Sequence, residues 1–185
     1  MKQALVVGGT GMLASLTPWL VEHEYWVSVI GRSSNKLFRV MNQVANRSHY
    51  VTPLVLDYHD NAKVHKWIEH IQLMQGPIDL VVSWIHEPKD PVLLAIAEEI
   101  TAYRHDSWRL IDIISSAKRD TMSHSQLPPT CLVQRVILGY QKTSQGPRWL
   151  THEEIVAGVV RAIEYSQQPV VAVGDISLPR PDNIQ

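Results

Sequence analysis

Cysteine is almost absent from this 185-residue chain, and its single example, Cys131, cannot form a disulfide within one molecule. Cys131 opens the apolar run Cys131-Leu132-Val133, which is typical of a buried strand. We therefore expect a free, buried thiol. A protein without disulfides fits a reducing compartment, so a cytoplasmic location is predicted.

Long apolar runs and an excess of one charge are also missing. No run approaches the roughly 18 apolar residues of a membrane span, and the N-terminal apolar stretch is cut short by Gly8 and Gly9, which argues against a signal peptide. The 17 basic and 18 acidic residues nearly cancel, which argues against binding to nucleic acid or to an anionic membrane. We expect a soluble protein whose partner is a small molecule or none, and the sequence leaves a homo-oligomer open.

Apolar runs of strand length alternate with longer segments of helical period, a pattern typical of an α/β protein with a parallel sheet. The strand runs are apolar throughout, as expected where helices cover both faces of the sheet. The predicted strands span residues 4–7, 26–30, 51–56, 79–83, 109–114, 132–138 and 170–173. The predicted helices span residues 12–24, 35–46, 61–75, 91–104 and 152–166.

These segments predict one doubly wound, Rossmann-type domain over residues 1–178, with strand order 3-2-1-4-5-6-7 and a loose tail over residues 179–185. Residues 117–130 are polar and predicted to form a loop or a frayed short helix. Two helix starts have a local cause: Asp90 is expected to cap a helix that opens on Pro91, and Thr151 with Glu154 forms a capping box. The tryptophans are predicted to be packing residues; this applies to Trp19, Trp67, Trp108 and Trp149.

A glycine-rich turn follows the first strand and leads into a predicted helix. Its glycines allow a sharp turn and a close approach of the backbone to a pyrophosphate, while Ala14 permits tight packing of helix on strand. The helix N-terminus adds free N–H groups. The turn therefore predicts dinucleotide binding, with a tight turn that binds nothing as the alternative. The residues assigned to the cofactor are Gly8, Gly9, Thr10, Gly11, Met12 and Leu13.

From about Lys2 to Gly174 the chain resembles the short-chain dehydrogenase/reductase family, in particular its extended and atypical branches, whose turn reads Gly-x-x-Gly-x-x-Gly or Ala. NAD-specific members carry an acidic residue after the second strand, where this chain has Gly31 followed by Arg32 and Ser33. A 2′-phosphate could pair with Arg32 and accept a hydrogen bond from Ser33. The resemblance therefore implies NADP(H) as cofactor. A solvated Arg32 at the start of a helix is the alternative.

Two further segments are similar to the family's cofactor site. Asp57 and Tyr58 follow the third strand, where the family holds adenine with an aspartate side chain and the next N–H; the alternative for Asp57 is a helix cap. Leu138-Gly139-Tyr140-Gln141-Lys142-Thr143 resembles the family's Pro-Gly-x-x-x-Thr segment beside the nicotinamide, with leucine in place of proline. The resemblance thus assigns Gly139 to the nicotinamide side.

The catalytic part of the resemblance is incomplete. Ser115 or Ser116 lies where the family places its serine, and we assign Ser115, but no Tyr-x-x-x-Lys pair occurs anywhere in the sequence. His86, in a segment that replaces the family's Asn-Ala-Gly, is a candidate proton donor; the alternative is a histidine that only lines a loop. No metal site is predicted. The sequence supports an NADP(H)-dependent oxidoreductase of a small carbonyl substrate or, alternatively, a non-catalytic NADP(H)-binding sensor or regulator.

Overall fold

The computed structural model describes residues 1–118 and 126–181. Seven strands pair in parallel in one sheet, so their carboxyl ends meet at one edge. In chain order they are β1 (Lys2–Val7), β2 (Tyr25–Gly31), β3 (Val51–Val55), β4 (Leu80–Ser83), β5 (Trp108–Ser115), β6 (Cys131–Leu138) and β9 (Val170–Val173). Their order in space is β3-β2-β1-β4-β5-β6-β9. The predicted sheet and strand order are confirmed, with β9 as the seventh predicted strand.

Between β6 and β9 lies an antiparallel hairpin that the sequence did not predict. It consists of β7 (Gln141–Thr143) and β8 (Gly146–Arg148). Each strand has three residues and no apolar run, and β7 is exposed throughout. The alternation and apolar runs that reveal longer strands are therefore missing from this hairpin.

Helices cover both faces of the sheet. They are α1 (Leu16–Glu22), α2 (Ser34–Asn42), α3 (Asn61–Gln75), α4 (Asp90–Tyr103) and α5 (His152–Glu164), with short 3-10 helices at Ala45–Tyr50 and Ser116–Lys118. Buried residues of α1, α2 and α5 share one core with the sheet, and those of α3 and α4 share the other. Among the residues described, no helix is long and apolar enough to cross a membrane.

The first helix begins later than predicted. Residues 8–15 form consecutive turns, and α1 starts at Leu16 rather than at residue 12. Two backbone hydrogen bonds hold the second half of this segment, from Ala14 N to Gly11 O and from Leu16 N to Leu13 O, both at 3.0 Å. Met12 and Leu13 extended the apparent helical pattern because their side chains pack on the core.

The two predicted helix caps differ in outcome. Thr151 and Glu154 form the capping box, because the Thr151 Oγ1 accepts from Glu154 N at 3.2 Å and the Glu154 carboxylate accepts from Thr151 N at 2.8 Å. Asp90 does not cap α4: it is the first helical residue, and Lys89 occupies the cap position without a side-chain cap bond. Pro91 does lie in the first turn.

The end of the described chain contacts the domain. Pro181 is buried, and the Arg180 guanidinium lies 5.3 Å from the centre of the Trp149 ring. Residues 182–185 and residues 119–125 of the predicted 117–130 loop lie outside the described residues. The domain boundary at residue 178 stays a prediction.

Candidate functional site

The predicted site residues converge on the edge formed by the carboxyl ends of the strands. The direction of strand order reverses between β1 and β4, and open α/β sheets bind their ligands at such a point. The glycine-rich turn follows β1, Arg32 follows β2 and Asp57 follows β3. His86, Ser115 and Gly139 follow or end β4, β5 and β6. Since all these strands are parallel, the fold brings the predicted residues to one side of the domain.

Gly8 and Gly9 have structural reasons to be glycine. Gly8 has a φ of +78°, and an added Cβ would lie 2.3 Å from the carbonyl oxygen of Trp84 in the loop after β4. A Cβ on Gly9 would lie 2.8 Å from a methyl group of Val6. These two glycines let the turn pack against β1 and the β4–α4 loop, so they position the turn.

Gly11 is different, because nothing in the protein explains its lack of a side chain. It is exposed, its φ is not in the left-handed region, and no protein atom lies within 4 Å of an added Cβ. The two hydrogen bonds within the turn leave the N–H groups of residues 10–13 unused. Open space beside such N–H groups fits a pyrophosphate. The Leu13 side chain is fully buried, so only its backbone could serve a ligand.

Thr10 packs against Gly31 at the end of the second strand. A Cβ on Gly31 would lie 2.6 Å from the Thr10 methyl group, so an acidic side chain at this position would collide with the turn. Arg32 is exposed and forms no ion pair within the part of the chain that the structure describes. The Ser33 Oγ accepts from Lys36 N at 3.4 Å and caps α2, which leaves its own O–H free to donate. An exposed guanidinium without an ion pair among the described residues, beside a donor hydroxyl, suits a phosphate.

Asp57 is not the cap of the following helix, which is capped by Asp60. Its carboxylate accepts from His59 N at 3.0 Å and lies 3.2 Å from the His59 Nδ1. The hydrogen bond from His59 N is the main reason the pKa of Asp57 is lowered, and the charge of Arg32 contributes. Asp57 is therefore an exposed, ionised group.

Tyr58 links the third strand to the loop that carries His86. Its side chain is buried, and its hydroxyl oxygen accepts from His86 N at 3.5 Å, while the His59 Nε2 lies 3.1 Å from the carbonyl oxygen of His86. The two loops are thus tied together through the backbone of His86, which leaves its imidazole exposed to the edge of the sheet.

Gly139 has a packing reason of its own. It is buried, and an added Cβ would lie 2.3 Å from the carbonyl oxygen of Asp175. Next to it, Tyr140 and Asp175 exchange two backbone hydrogen bonds of 3.1 and 2.8 Å. Close contact with the chain after β9 therefore explains this glycine without a cofactor, and its nicotinamide role stays a prediction.

A cavity of about 420 Å³ lies beside the turn and contains both predicted catalytic residues. Ser115 and His86 both line it, and their catalytic roles stay predictions. Its apolar wall comes from Ile85, Ile113 and Ile114, and its aromatic residues are Trp84, Tyr140 and Trp149. Like Trp67, which is 38% exposed, Trp149 is 52% exposed and is not the core packing residue that was predicted. Its ring instead packs edge-on against Tyr140 at 5.3 Å in the cavity wall.

A buried ion pair next to the cavity was not predicted. Lys89, only 2% exposed, lines the cavity, and its Nζ contacts the carboxylate of Asp112, which is fully buried on β5. The same Nζ donates to the Ile113 carbonyl at 3.3 Å, and the buried Ser83 hydroxyl donates to Asp112 at 3.2 Å. Burial lowers the pKa of Lys89, opposed by the charge of Asp112. A carboxylate within the apolar run Leu110-Ile111-Asp112-Ile113-Ile114 was the available signal.

Two other expectations concern reactive groups. Cys131 is a free, buried thiol, as expected, and burial raises its pKa to about 12, so it is not a thiolate nucleophile at neutral pH. Within residues 1–118 and 126–181 no three potential ligands cluster to hold a metal ion.

No family model and no curated protein matches the sequence. Solved structures do match. A short-chain dehydrogenase/reductase from Serratia marcescens BCRC 10948 is 17% identical, with a TM-score of 0.70 over 94% of this chain and 96% of that chain. The F189W actinorhodin polyketide ketoreductase with NADPH is 12% identical, with a TM-score of 0.70 over 94% and 95%. An alcohol dehydrogenase from the archaeon Thermococcus sibiricus, complexed with 5-hydroxy-NADP, is 15% identical, with a TM-score of 0.67 over 98% and 99%.

The chain has the short-chain dehydrogenase/reductase fold. At 12 to 17% identity the likeness concerns the fold, and the residues of this chain must support any function. In this fold the cavity lies at the carboxyl edge of the sheet, and Ser115 and His86 line it. The sequence contains no Tyr-x-x-x-Lys pair.

Proposed function

We propose that the protein binds NADP(H) and acts as an oxidoreductase on a small carbonyl substrate. The turn at Gly11 carries this proposal. The space beside Gly11 is unfilled, and the turn leaves N–H groups there without a hydrogen bond. This space lies where the strand order of the sheet reverses. Structures of the same fold were solved with NADPH and with 5-hydroxy-NADP. The backbone of residues 10–13 would bind the pyrophosphate, and Arg32 with Ser33 would bind the 2′-phosphate.

The cavity residues supply the remaining steps. A bound NADPH would supply the hydride for the carbonyl carbon, and the carbonyl oxygen would take up one proton, so that the products would be an alcohol and NADP⁺. Ser115 would donate a hydrogen bond that holds the carbonyl oxygen, and His86 would donate the proton. The isoleucines and Trp84 exclude water from the reacting carbonyl. Asp57 and the N–H of Tyr58 hold the adenine.

A second function is favoured by two observations. The sequence has no Tyr-x-x-x-Lys pair, and the structural explanation of Gly139 removes a reason to assume a nicotinamide-positioning loop. A non-catalytic NADP(H) sensor or regulator would keep the phosphate turn and need no proton donor. The two functions share cofactor binding and differ in turnover.

Cofactor choice is expected to depend on Arg32. NADPH should bind more tightly than NADH, and Arg32→Ala should remove most of the difference, a loss of about 1.5 to 3 kcal/mol for one charge-assisted contact. Titration calorimetry with both cofactors measures the effect. Arg39→Ala, which removes an exposed arginine from the last turn of α2, is the matched control and should leave both affinities unchanged. Equal affinities of the unmutated protein for NADPH and NADH would contradict the assignment.

The turn itself is tested by comparing two glycines. Gly11→Ala should leave the free energy of unfolding within about 1 kcal/mol of the parent, because the added methyl group meets no protein atom. It should weaken NADPH binding at least about tenfold, or about 1.4 kcal/mol, because the methyl group occupies the phosphate space. Gly9→Ala should instead destabilise the fold by about 1 to 3 kcal/mol through contact with Val6 and Val29. Urea unfolding and calorimetry separate the effects, and unchanged NADPH affinity in Gly11→Ala would place the cofactor elsewhere.

A further inference from the structure

Within residues 1–118 and 126–181, the charged groups around the cavity are matched in pairs, with one exception. The Glu87 carboxylate accepts from the Lys118 Nζ at 3.0 Å and from the Lys89 backbone N at 3.1 Å. The Lys89 ammonium contacts Asp112. These contacts leave Glu87, Lys118 and Lys89 with partners of opposite charge inside the protein.

Arg180 is the exception. It lines the cavity, and its guanidinium lies 5.3 Å from the centre of the Trp149 ring. Within the described residues, no carboxylate lies at ion-pair distance from it. The Trp149 ring is itself supported by its edge-on contact with Tyr140. An aromatic face holds a guanidinium in place by a cation–π contact without neutralising its charge. Among the described residues, the cavity therefore carries one positive charge that no carboxylate neutralises.

We propose that this surplus charge selects an oxo acid, a small carbonyl compound whose carboxylate pairs with Arg180 while its carbonyl group lies at Ser115 and His86. The proposal rests on the proposed function and names the substrate class of the same cavity. A guanidinium fork binds a carboxylate through two parallel hydrogen bonds. One uncompensated charge matches a carboxylate better than a phosphate monoester, which carries about 1.5 to 2 negative charges at neutral pH. The apolar and aromatic walls suit the hydrocarbon part of such an acid.

Binding measurements on the full chain test this inference without turnover. The probes are 2-oxopentanoate and 4-oxopentanoate, each compared with its methyl ester, which keeps the carbonyl group and removes the charge. Affinity is measured by quenching of tryptophan fluorescence and by calorimetry, with and without NADP⁺. We expect at least one acid to bind about tenfold or more tightly than its ester. Arg180→Gln should abolish that preference, and Arg180→Lys should keep part of it because the charge remains.

The matched control is Lys66→Gln, which removes an exposed positive charge from α3 without altering the cavity lining. It should leave the preference for the acid unchanged. Equal binding of acid and ester by the unmutated protein, or no binding of either acid, would overturn the inference. So would tighter binding of dihydroxyacetone phosphate than of both acids, since that result would favour a phosphate ligand.

Affinity for NADPH is measured on the same variants. If Arg180→Gln weakens NADPH binding and leaves the acid preference intact, Arg180 serves the cofactor and the inference is wrong. If the unmutated protein binds an acid through Arg180 but does not bind NADPH, the substrate class is supported and the proposed function is overturned. The two failures are therefore distinguishable.

Discussion

Lys89→Met is expected to lower the free energy of unfolding by about 3 to 5 kcal/mol, because it removes the ammonium that contacts the buried carboxylate of Asp112. Asp112 is fully buried on β5, and the hydrogen bond from the Ser83 hydroxyl does not supply the charge of the ammonium. The methionine keeps a similar length and apolar volume, so a large cavity is not the cause of the loss. Urea unfolding monitored by circular dichroism measures the change.

Two further variants isolate the charge effect. Lys118→Met removes the lysine of the exposed Glu87 pair, in which the two side chains are 49% and 51% exposed. It should cost no more than about 1 kcal/mol, because exposed ion pairs contribute little. Lys89→Met combined with Asp112→Leu should recover much of the lost stability, because the buried carboxylate is removed together with the ammonium that it contacts. If Lys89→Met alone lowers the free energy of unfolding by less than about 1 kcal/mol, the buried pair contributes little to stability and the prediction is wrong.

The sheet could be predicted from the sequence because its strands are buried on both faces. Such strands are continuous apolar runs, and their number and alternation with helices leave few arrangements. The start of α1 could not be predicted, because Leu13 contributes to the core from a turn as it would from a helix. The hairpin β7–β8 was missed because its short strands are polar and have no buried face.

The candidate site likewise contains residues that the sequence indicates and residues that it does not. Residues within the glycine-rich turn could be found because turn chemistry is local, and the parallel sheet explains why Ser115 and His86 share a cavity. The contact between Lys89 and Asp112 joins the start of α4 to β5, and nothing local in the sequence indicates this pairing. Arg180 lies between Pro179 and Pro181 in the predicted loose tail, and nothing local in the sequence indicates its contact with Trp149. The sequence pattern does not determine the long-range contacts of single side chains.

Turnover of ordinary ketones and aldehydes with NADPH is expected to be about 10²- to 10⁴-fold slower than that of a short-chain dehydrogenase with a Tyr-x-x-x-Lys pair, assayed alongside. This is the contribution that a positioned proton donor typically makes. Ser115 is held at the end of β5 and can bind a carbonyl oxygen, but a serine hydroxyl is a poor acid. The remaining candidates for proton donation are His86 and Tyr140, both of which line the cavity.

Initial rates of NADPH oxidation over a panel of carbonyl substrates measure this deficit, followed by His86→Ala and Ser115→Ala. Both variants should reduce the residual rate, because one removes the proton donor and the other the group that holds the oxygen. Ser116→Ala and His70→Ala are matched controls, since neither residue lines the cavity, and their rates should stay at the parent level. Rates equal to the reference enzyme that persist in both test variants would show that the active site lies elsewhere. Tight NADPH binding with no turnover of any substrate would instead favour the sensor, because the phosphate turn would then be functional without a catalytic partner.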